Sequence, residues 1–376
     1  MPLKGLNVLE FSGLAPVPAI GHILVDFGAN VTVVQRNLVD MGIARLINCG
    51  KKSIGVNLKH PQGVKIIKKL ITETDILLEP FRPGVMEKLG LGPNVLMEEN
   101  PRLIYTRLNG YGSYGEYSQR AGHDINFLAM SGLLSLYGSK KPKGPANFSE
   151  FAGGSLVCVM GICMAIIERY RSGKGQVVDA NITEGISYVG SWLYCSQNSV
   201  IWGNGKGQNL LDGGVHFYDT YETKDGKWMA VGAIEPEFYK LFIEGLGLDI
   251  DKIEQFNNSD SNREIIARTF KEKTREEWSK IFDSKDACVT PVLDIDEVDQ
   301  HSHNASRNSF IRKDNTLLPV PAPKLNITPG ISRANEPIAT YGQHNSEVLK
   351  SIGYSQIEIS NLLKNGIIFE ETKSKF

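Results

Sequence analysis

The first half of the chain alternates two kinds of hydrophobic pattern. Short apolar runs rich in β-branched residues predict strands at Val8–Phe11, Val31–Gln35, Ile54–Leu58, Ile76–Leu78 and Leu103–Leu108. Runs with helical spacing lie among them, at Pro16–Phe27 and Gln62–Ile71, each with a proline near its start. Such alternation is typical of an α/β fold with a parallel sheet flanked by helices.

The pattern changes after Gly205. Two β-rich runs, Phe217–Tyr221 and Trp228–Val231, flank an Asp-Gly pair, which is a strong hairpin signal. Further helices are predicted at Phe127–Tyr137, Pro236–Leu246, Thr274–Phe282 and Ser346–Leu363. Residues 315–343 are rich in Pro, Gly and Asn and are predicted to be a long connection. The middle of the chain is therefore expected to be α+β rather than doubly wound.

Composition narrows the function classes. Basic and acidic residues nearly balance, at 41 and 42 of 376, so no net field points to nucleic acid or to an anionic membrane. The five cysteines form no Cys-x-x-Cys pair, and a reducing compartment fits best. The start of the chain shows no signal-peptide pattern. The longest apolar run, about Ser155–Ile167, is shorter than a bilayer span and is predicted to be a core helix, so no membrane is expected.

The motifs for dinucleotide, metal and anion binding are only weakly indicated in this sequence. Gly110–Gly115 matches G-x-G-x-x-G, but no helix with an apolar period opens there, which favours a glycine-lined wall over dinucleotide binding. His301 and His303 lie in a polar loop without a spaced third ligand, so no metal is expected. Several basic residues follow or end strands, where an open sheet binds ligands. Three of them are predicted either to converge on an anionic nucleotide or to be solvated charges: Arg36, Arg82 and Arg107.

Three segments carry candidate acid–base chemistry. In AGHDINF, Asp124 is a candidate N-cap with His123 just ahead of it, so the histidine is either a base or part of a capped helix. Glu150 precedes the pair Gly153-Gly154, whose N–H groups at a helix start could stabilise an oxyanion. Glu235 follows an apolar strand, where a lone carboxylate is costly without a partner such as histidine.

These segments, with LLEPFRPGVMEKLGLGP, RLIYTRLNGYG, GKGQVVDA and LDGG, resemble the α-methylacyl-CoA racemases, a branch of the family III CoA transferases. The resemblance runs from Leu3 to about Tyr354. It implies a large doubly wound α/β domain built from both chain ends, residues 1–200 and 322–376, and a smaller α+β domain at 201–321. It also implies an interlocked homodimer whose active sites use both chains.

The resemblance further implies a reaction and its residues. The substrates would be 2-methyl-branched acyl-CoA thioesters, inverted at C2 without a metal or redox cofactor, since coenzyme A is part of the substrate. His123 and Glu150 would be the two bases, Glu235 would hold the histidine across the dimer interface, and Asp124 would lie near the thioester. Coenzyme A contacts are implied at Arg36, Gly55, Val56, Asn57, Leu58, Arg82, Lys88, Gly122, Ile125 and Asn126.

One departure leaves alternatives open, because the family has aspartate where this chain has Glu150. The first hypothesis is a racemase in branched fatty acid or bile acid precursor metabolism. The second is a CoA transferase that uses Glu150 as a covalent carboxylate, and the third is a non-catalytic CoA-binding homologue. The ending Ser374-Lys375-Phe376 is a near miss to the peroxisomal signal, so a peroxisome or mitochondrion is expected, or the cytosol for a bacterial protein.

Overall fold

The computed structural model describes residues 1–35, 46–137, 144–313 and 315–371, and these form two compact units. The first unit comprises Met1–Leu133, Pro145–Gly190 and Asn308–Phe376, and the second comprises Leu134–Gly144 and Ser191–Arg307. The junctions near residues 190 and 308 differ from the expected ones at 200 and 322. The later junction lies earlier because a hairpin, Phe310–Pro319, overlaps the start of the predicted connection, and its Lys313 Nζ donates a hydrogen bond to the Glu336 carbonyl within the first unit.

The chain forms strands and helices throughout the described ranges. The strands are β1 (Asn7–Phe11), β2 (Asn30–Gln35), β3 (Lys52–Val56), β4 (Ile76–Glu79), β5 (Ile104–Asn109), β6 (Val177–Asn181), β7 (Tyr218–Glu222), β8 (Trp228–Gly232), β9 (Val289–Val292), β10 (Phe310–Lys313), β11 (Thr316–Pro319) and β12 (Ile368–Phe369). The helices are α1 (Pro16–Asp26), α2 (Pro61–Ile71), α3 (Val85–Lys88), α4 (Pro93–Glu99), α5 (Asp124–Met130), α6 (Val157–Ser172), α7 (Ile182–Val189), α8 (Ser191–Ser196), α9 (Pro236–Leu246), α10 (Ser259–Phe270), α11 (Arg275–Phe282), α12 (Ser302–Ser306), α13 (Asn345–Ser351) and α14 (Gln356–Lys364).

The first unit is built on a seven-stranded sheet in the order β12-β3-β2-β1-β4-β5-β6. All neighbours pair in parallel except β12, which runs antiparallel to β3. This confirms an α/β fold with a large parallel sheet. The strands β2 and β3 lie on one side of β1, and the chain then crosses to the other side of β1, where it forms β4. The carboxyl ends of β1 and β4 therefore flank a crevice of the kind that binds ligands.

Helices cover both faces of this sheet because its strands are apolar on both sides. On one face α2, α4, α13 and α14 pack on a buried cluster that includes Phe11, Ile54, Ile66 and Tyr105. On the other, α1 and α6 pack on a cluster that includes Val8, Ile20, Ile104 and Ile162.

The apolar run near Ser155 forms a longer helix than predicted. A continuous helix spans Ser149–Ser172, and its first eight residues, Ser149–Leu156, wind as a π-helix. At 24 residues it is long and apolar enough to cross a membrane by length and composition alone, so the prediction that it was too short is wrong. Its buried residues, such as Cys158 and Ile162, belong to the core of the first unit, and core helices meet the same criterion.

Two other helix predictions were too long. The helix predicted to reach Tyr137 ends at Met130, because Gly132 adopts a positive φ of 81° and a short 3-10 turn follows. The helix predicted over Ser346–Leu363 is two helices, α13 and α14, separated at Gly353 with a φ of 84°. Glycine takes such backbone angles without strain and thereby ends a helix.

The second unit has its own core. The strands β7, β8 and β9 form an antiparallel sheet, and the predicted Asp225-Gly226 hairpin joins the first two. Helices α9, α10 and α11 pack on it around the fully buried Phe242, Phe270 and Trp278. Thr274 is the N-cap of α11 and forms a capping box with Glu277, which accepts the Thr274 N–H at 2.8 Å.

Candidate active site

A cavity of about 360 Å³ opens in the first unit where the strands β1, β4, β5 and β6 end. Its walls come from the loops and helix starts that follow these strands. The lining residues are Leu14, Pro16, Val17, Pro80, Arg82, Leu108, Asn109, Gly110, Arg120, Ala121, Gly122, His123, Phe127, Glu150 and Ile182. The cavity thus brings His123 and Glu150, 27 positions apart in the sequence, into one site beside the topological switch.

His123 occupies the N-cap position of α5, and Asp124 is the first helical residue. The prediction that Asp124 was the N-cap is therefore wrong by one position. Asn126 closes the helix start, because its Oδ1 accepts the backbone N–H of His123 at 3.1 Å. The His123 side chain is exposed at the cavity, where an imidazole can accept or release a proton.

Asp124 turns its carboxylate toward the start of the π-helix. Its Oδ1 accepts a hydrogen bond from Ser149 Oγ at 2.6 Å and another from the backbone N–H of Glu150 at 2.9 Å. The two segments that carry the candidate bases are therefore joined directly. The resemblance implies that Asp124 lies near the thioester, but no local pattern indicates the contact with Ser149, because it depends on two segments meeting in space.

Glu150 lies half-buried at the first turn of the π-helix. Its Oε2 accepts a hydrogen bond from Asn147 Nδ2 at 3.3 Å. Burial raises the pKa of its carboxyl, the negative charge of Asp124 raises it further, and His123 acts in the opposite direction. A carboxyl with a raised pKa holds a proton closer to neutral pH, which suits a group that must both accept and return one.

Close packing explains why glycine occupies several positions around the cavity. A Cβ on Gly110 or Gly122 would lie 2.2 or 2.7 Å from the ring of Phe127, so both positions exclude larger residues. A Cβ on Gly153 would lie 2.4 Å from the Ile186 nitrogen, because this glycine packs on α7. Neither Gly153 nor Gly154 lines the cavity, so the structure does not support the predicted oxyanion site at that glycine pair.

A second cavity of about 440 Å³ lies beside the carboxyl ends of β1, β2 and β3. Four of the predicted coenzyme A contacts line it: Val56, Asn57, Leu58 and Lys88. Gly55 does not. It lies under β12, where a Cβ would come 2.3 Å from the Phe369 carbonyl oxygen, so the pairing of the last strand explains its small size.

The basic residues divide into two groups. Arg82 lines the first cavity, whereas Arg107 is bound by Glu79 at 3.2 Å and by Glu87, so it is not available to an anionic ligand. Arg36 lies outside the described residues. Arg120, which the sequence did not single out, also lines the cavity, and its guanidinium stacks on Tyr117 at 3.9 Å.

The remaining predicted residues lie as follows. Gly122 lines the first cavity, while Ile125 and Asn126 are exposed on α5. Glu235 belongs to the second unit and is the exposed N-cap of α9. The reasoning that it needs a partner because it is buried is wrong, since β8 ends at Gly232 and the chain reaches the surface before Glu235.

Fold and site together define a class: an open α/β protein with an imidazole and a carboxyl in one cavity at the switch point and a second cavity beside it. Residues 3–345 match the model of CoA-transferase family III, and the chain belongs to this family. It is 48% identical to human alpha-methylacyl-CoA racemase over 100% of this chain and 99% of that protein. The identity to the mouse alpha-methylacyl-CoA racemase is 46%, over 98% of each chain.

A solved structure supports the fold alone. A CAIB/BAIF family protein from Brucella suis superposes with a TM-score of 0.78 at 23% identity, covering 94% of this chain and 99% of that one.

Proposed function

We propose that this chain is a racemase that inverts C2 of 2-methyl-branched acyl-CoA thioesters. The observation that carries the proposal is the placement of His123 and Glu150 in one cavity. Human and mouse proteins named alpha-methylacyl-CoA racemase, at 48% and 46% identity, give the substrate class.

The reaction needs one group on each face of C2. One group removes the C2 proton, and the electron pair of the broken C–H bond moves into an enolate with its charge on the thioester oxygen. The other group then delivers its proton to the opposite face of C2, which forms the new C–H bond and restores the thioester. In one direction His123 takes the proton and protonated Glu150 gives one, and in the reverse direction the two exchange roles.

Coenzyme A is proposed to extend from this site toward the second cavity. Lys88 lines that cavity and Arg82 lines the first, so each offers a cation to the phosphates. The backbone of Val56, Asn57 and Leu58 would contact the nucleotide end. In this proposal coenzyme A is carried by the substrate, and the protein residues supply the acid–base chemistry.

We also propose a homodimer in which Glu235 of the second copy orients His123. The exposed face of α6 supports association, because Met160, Met164 and Ile167 lie within about 60° of arc and are 39%, 58% and 62% exposed. Apolar side chains gathered on one helix face are typical of a contact surface. In this proposal the large domain comes from both chain ends and the small domain from the middle. The compartment stays a prediction, since residues 374–376 lie outside the described ranges.

Deuterium wash-in tests the activity. The chain is incubated in heavy water with a 2-methylacyl-CoA of defined configuration, and NMR and chiral analysis follow the C2 position. We expect deuterium at C2 with loss of configuration. His123→Ala and Glu150→Gln should each lower the rate by at least about 100-fold, whereas His303→Gln, on an exposed residue outside the site, should not.

The same assay separates the alternatives. A free 2-methyl acid is added as a possible acceptor. Appearance of coenzyme A on that acid, without exchange at C2, would indicate a transferase in which Glu150 forms an acyl anhydride. Binding of the thioester without exchange or transfer would indicate a non-catalytic homologue, and either result overturns the racemase proposal.

A further inference from the structure

Ser149 has a buried hydroxyl that contacts Asp124, the residue after one candidate base, and it directly precedes the other candidate base, Glu150. It is 0% exposed and stands at the first position of the π-helix, one residue before Glu150. Its Oγ lies 2.6 Å from Asp124 Oδ1 and 2.8 Å from the Asp124 carbonyl oxygen. A hydroxyl donating to a carboxylate at such a distance makes a charge-assisted hydrogen bond.

The same carboxylate oxygen holds the main chain at Glu150, whose N–H donates to Asp124 Oδ1 at 2.9 Å. Asp124 itself follows His123 directly in the chain. The three residues Asp124, Ser149 and Glu150 thus form a clasp that links the backbone beside one base to the backbone beside the other. We call this the Asp124 clasp.

The Asp124 clasp holds the start of the π-helix in a fixed position relative to α5. Without the Ser149 hydroxyl, Asp124 Oδ1 keeps only the Glu150 N–H as a donor from this segment, and the carboxylate can rotate away from it. The start of the π-helix is then free to shift relative to α5. A displacement of about 1 Å between reacting groups can cost about 100-fold in rate.

We propose that Ser149 is a positioning residue for C2 inversion: its hydroxyl fixes the Asp124 carboxylate, which in turn sets the position of Glu150 opposite His123. This inference rests on the proposed racemase function and adds a residue to it. Asp124 is accordingly a positioning residue rather than a third proton-transfer group.

The electrostatics give a second readout. In the described chain the charged or titratable groups near Glu150 are His123 and Asp124 at the start of α5 and Arg82 and Arg120 on the cavity wall. The residues that α1 and α7 contribute to the lining are uncharged: Pro16, Val17 and Ile182. The charge of Asp124 raises the pKa of Glu150. Removing the donor from Ser149 leaves that charge less compensated, so the pKa of Glu150 should rise further.

Ser149→Ala tests the proposal in the deuterium wash-in assay on the full chain. We expect kcat to fall about 10- to 100-fold with KM changed by less than about twofold. For the enantiomer whose proton Glu150 removes, activity is lost as pH falls through the pKa of Glu150, so the acid limb of the profile should move to higher pH. Ser172→Ala is the matched control, because that hydroxyl donates to the Glu168 carbonyl near the far end of the same helix.

A double-mutant cycle isolates the route of the effect. If Ser149 acts through Asp124, then Ser149→Ala should cost less than about threefold in an Asp124→Asn background. Ser149→Thr, which keeps the hydroxyl, should retain most of the wild-type kcat. Because Asp124→Asn alone should also lower kcat rather than raise KM, the proposal can be tested even if Ser149→Ala folds poorly.

Three results would overturn the inference: unchanged kcat and pH profile in Ser149→Ala, an equal cost in both backgrounds, or a loss confined to KM. Failure of the wild-type chain to exchange deuterium would overturn the racemase proposal and this inference together. Exchange in the wild type with a normal Ser149→Ala variant would remove only the inference.

Discussion

His216 should make the second unit sensitive to acid. Its ring is 0% exposed, with Nε2 2.8 Å from Tyr239 Oη and Nδ1 3.2 Å from Ser259 Oγ. Since Tyr239 donates its hydroxyl proton to the Ile253 carbonyl at 2.8 Å, Nε2 must carry the ring proton and Nδ1 must accept. A second ring proton, on Nδ1, would require the Ser259 hydroxyl to turn from donor to acceptor. Burial, with the Arg263 charge adding to it, lowers the pKa of His216 to about 4.

The sign and size of the effect follow from this pKa. His216 binds a proton near pH 6.5 in the unfolded chain but only near pH 4 in the folded chain. Its contribution to the free energy of unfolding is therefore fully present above pH 6.5 and is lost as the pH falls toward 4. A difference of about 2.5 between the two pKa values corresponds to about 3 kcal/mol. Between pH 7 and pH 5 the expected loss is about 2 kcal/mol.

Tryptophan fluorescence provides the assay, because all four tryptophans lie in the second unit, at positions 192, 202, 228 and 278. Urea unfolding is followed at pH 7 and pH 5 for the wild type, for His216→Gln and for the exposed control His303→Gln. We expect His216→Gln to lose about 2 kcal/mol less than the wild type over this interval, and the control to match the wild type. Equal pH dependence in wild type and His216→Gln would refute the reasoning.

Two further predictions concern the first unit. Lys51 and Glu10 form a fully buried ion pair at 2.8 Å. Lys51→Met leaves the Glu10 charge buried without its partner, so it should lower the free energy of unfolding by about 3–5 kcal/mol. The double variant Lys51→Met/Glu10→Met should recover part of that loss, as measured by circular dichroism in urea. An unchanged stability in Lys51→Met would contradict this. Met164→Glu, on the exposed face of α6, should convert the proposed dimer to a monomer in analytical ultracentrifugation. The control Lys364→Glu, exposed on α14, should leave the dimer intact. A monomeric wild type, or a dimeric Met164→Glu variant, would show that α6 is not part of the interface.

Most of the central sheet could be predicted from the sequence because buried parallel strands are continuous apolar runs. The observed β1, β2, β4 and β5 begin and end within about one residue of their predicted bounds. In contrast, β6 was missed, because it is an edge strand in which exposed residues such as Val177 and Asp179 alternate with partly buried ones. The two-residue β12 carries too short a pattern to be recognised, although it closes the other edge.

The site was predictable to the extent that local sequence motifs determine it. His123 and Glu150 stand out because each lies at the start of an apolar helix and matches a base in the resemblance, and the cavity brings them together. Ser149 and Arg120 could not be found in this way, since their roles depend on contacts with distant or looped segments. For Glu235 only the expectation of burial was wrong: the end of a strand decides whether the next carboxylate is buried or exposed, and periodicity does not fix strand ends that closely.

The Asp124 clasp also bears on position 150, where this chain has glutamate and the resemblance implies aspartate. Because Asp124 fixes the Glu150 N–H, the added methylene cannot be absorbed by a free shift of the backbone at that point. The extra length must instead be taken up by the side chain, whose Oε2 accepts a hydrogen bond from Asn147 Nδ2 at 3.3 Å. The Glu150 carboxyl then reaches the cavity half-buried and with a raised pKa, and its position depends on how firmly Ser149 holds the clasp. It follows that Ser149 and Glu150 act as one unit, so a change at either residue alters the position of the carboxyl.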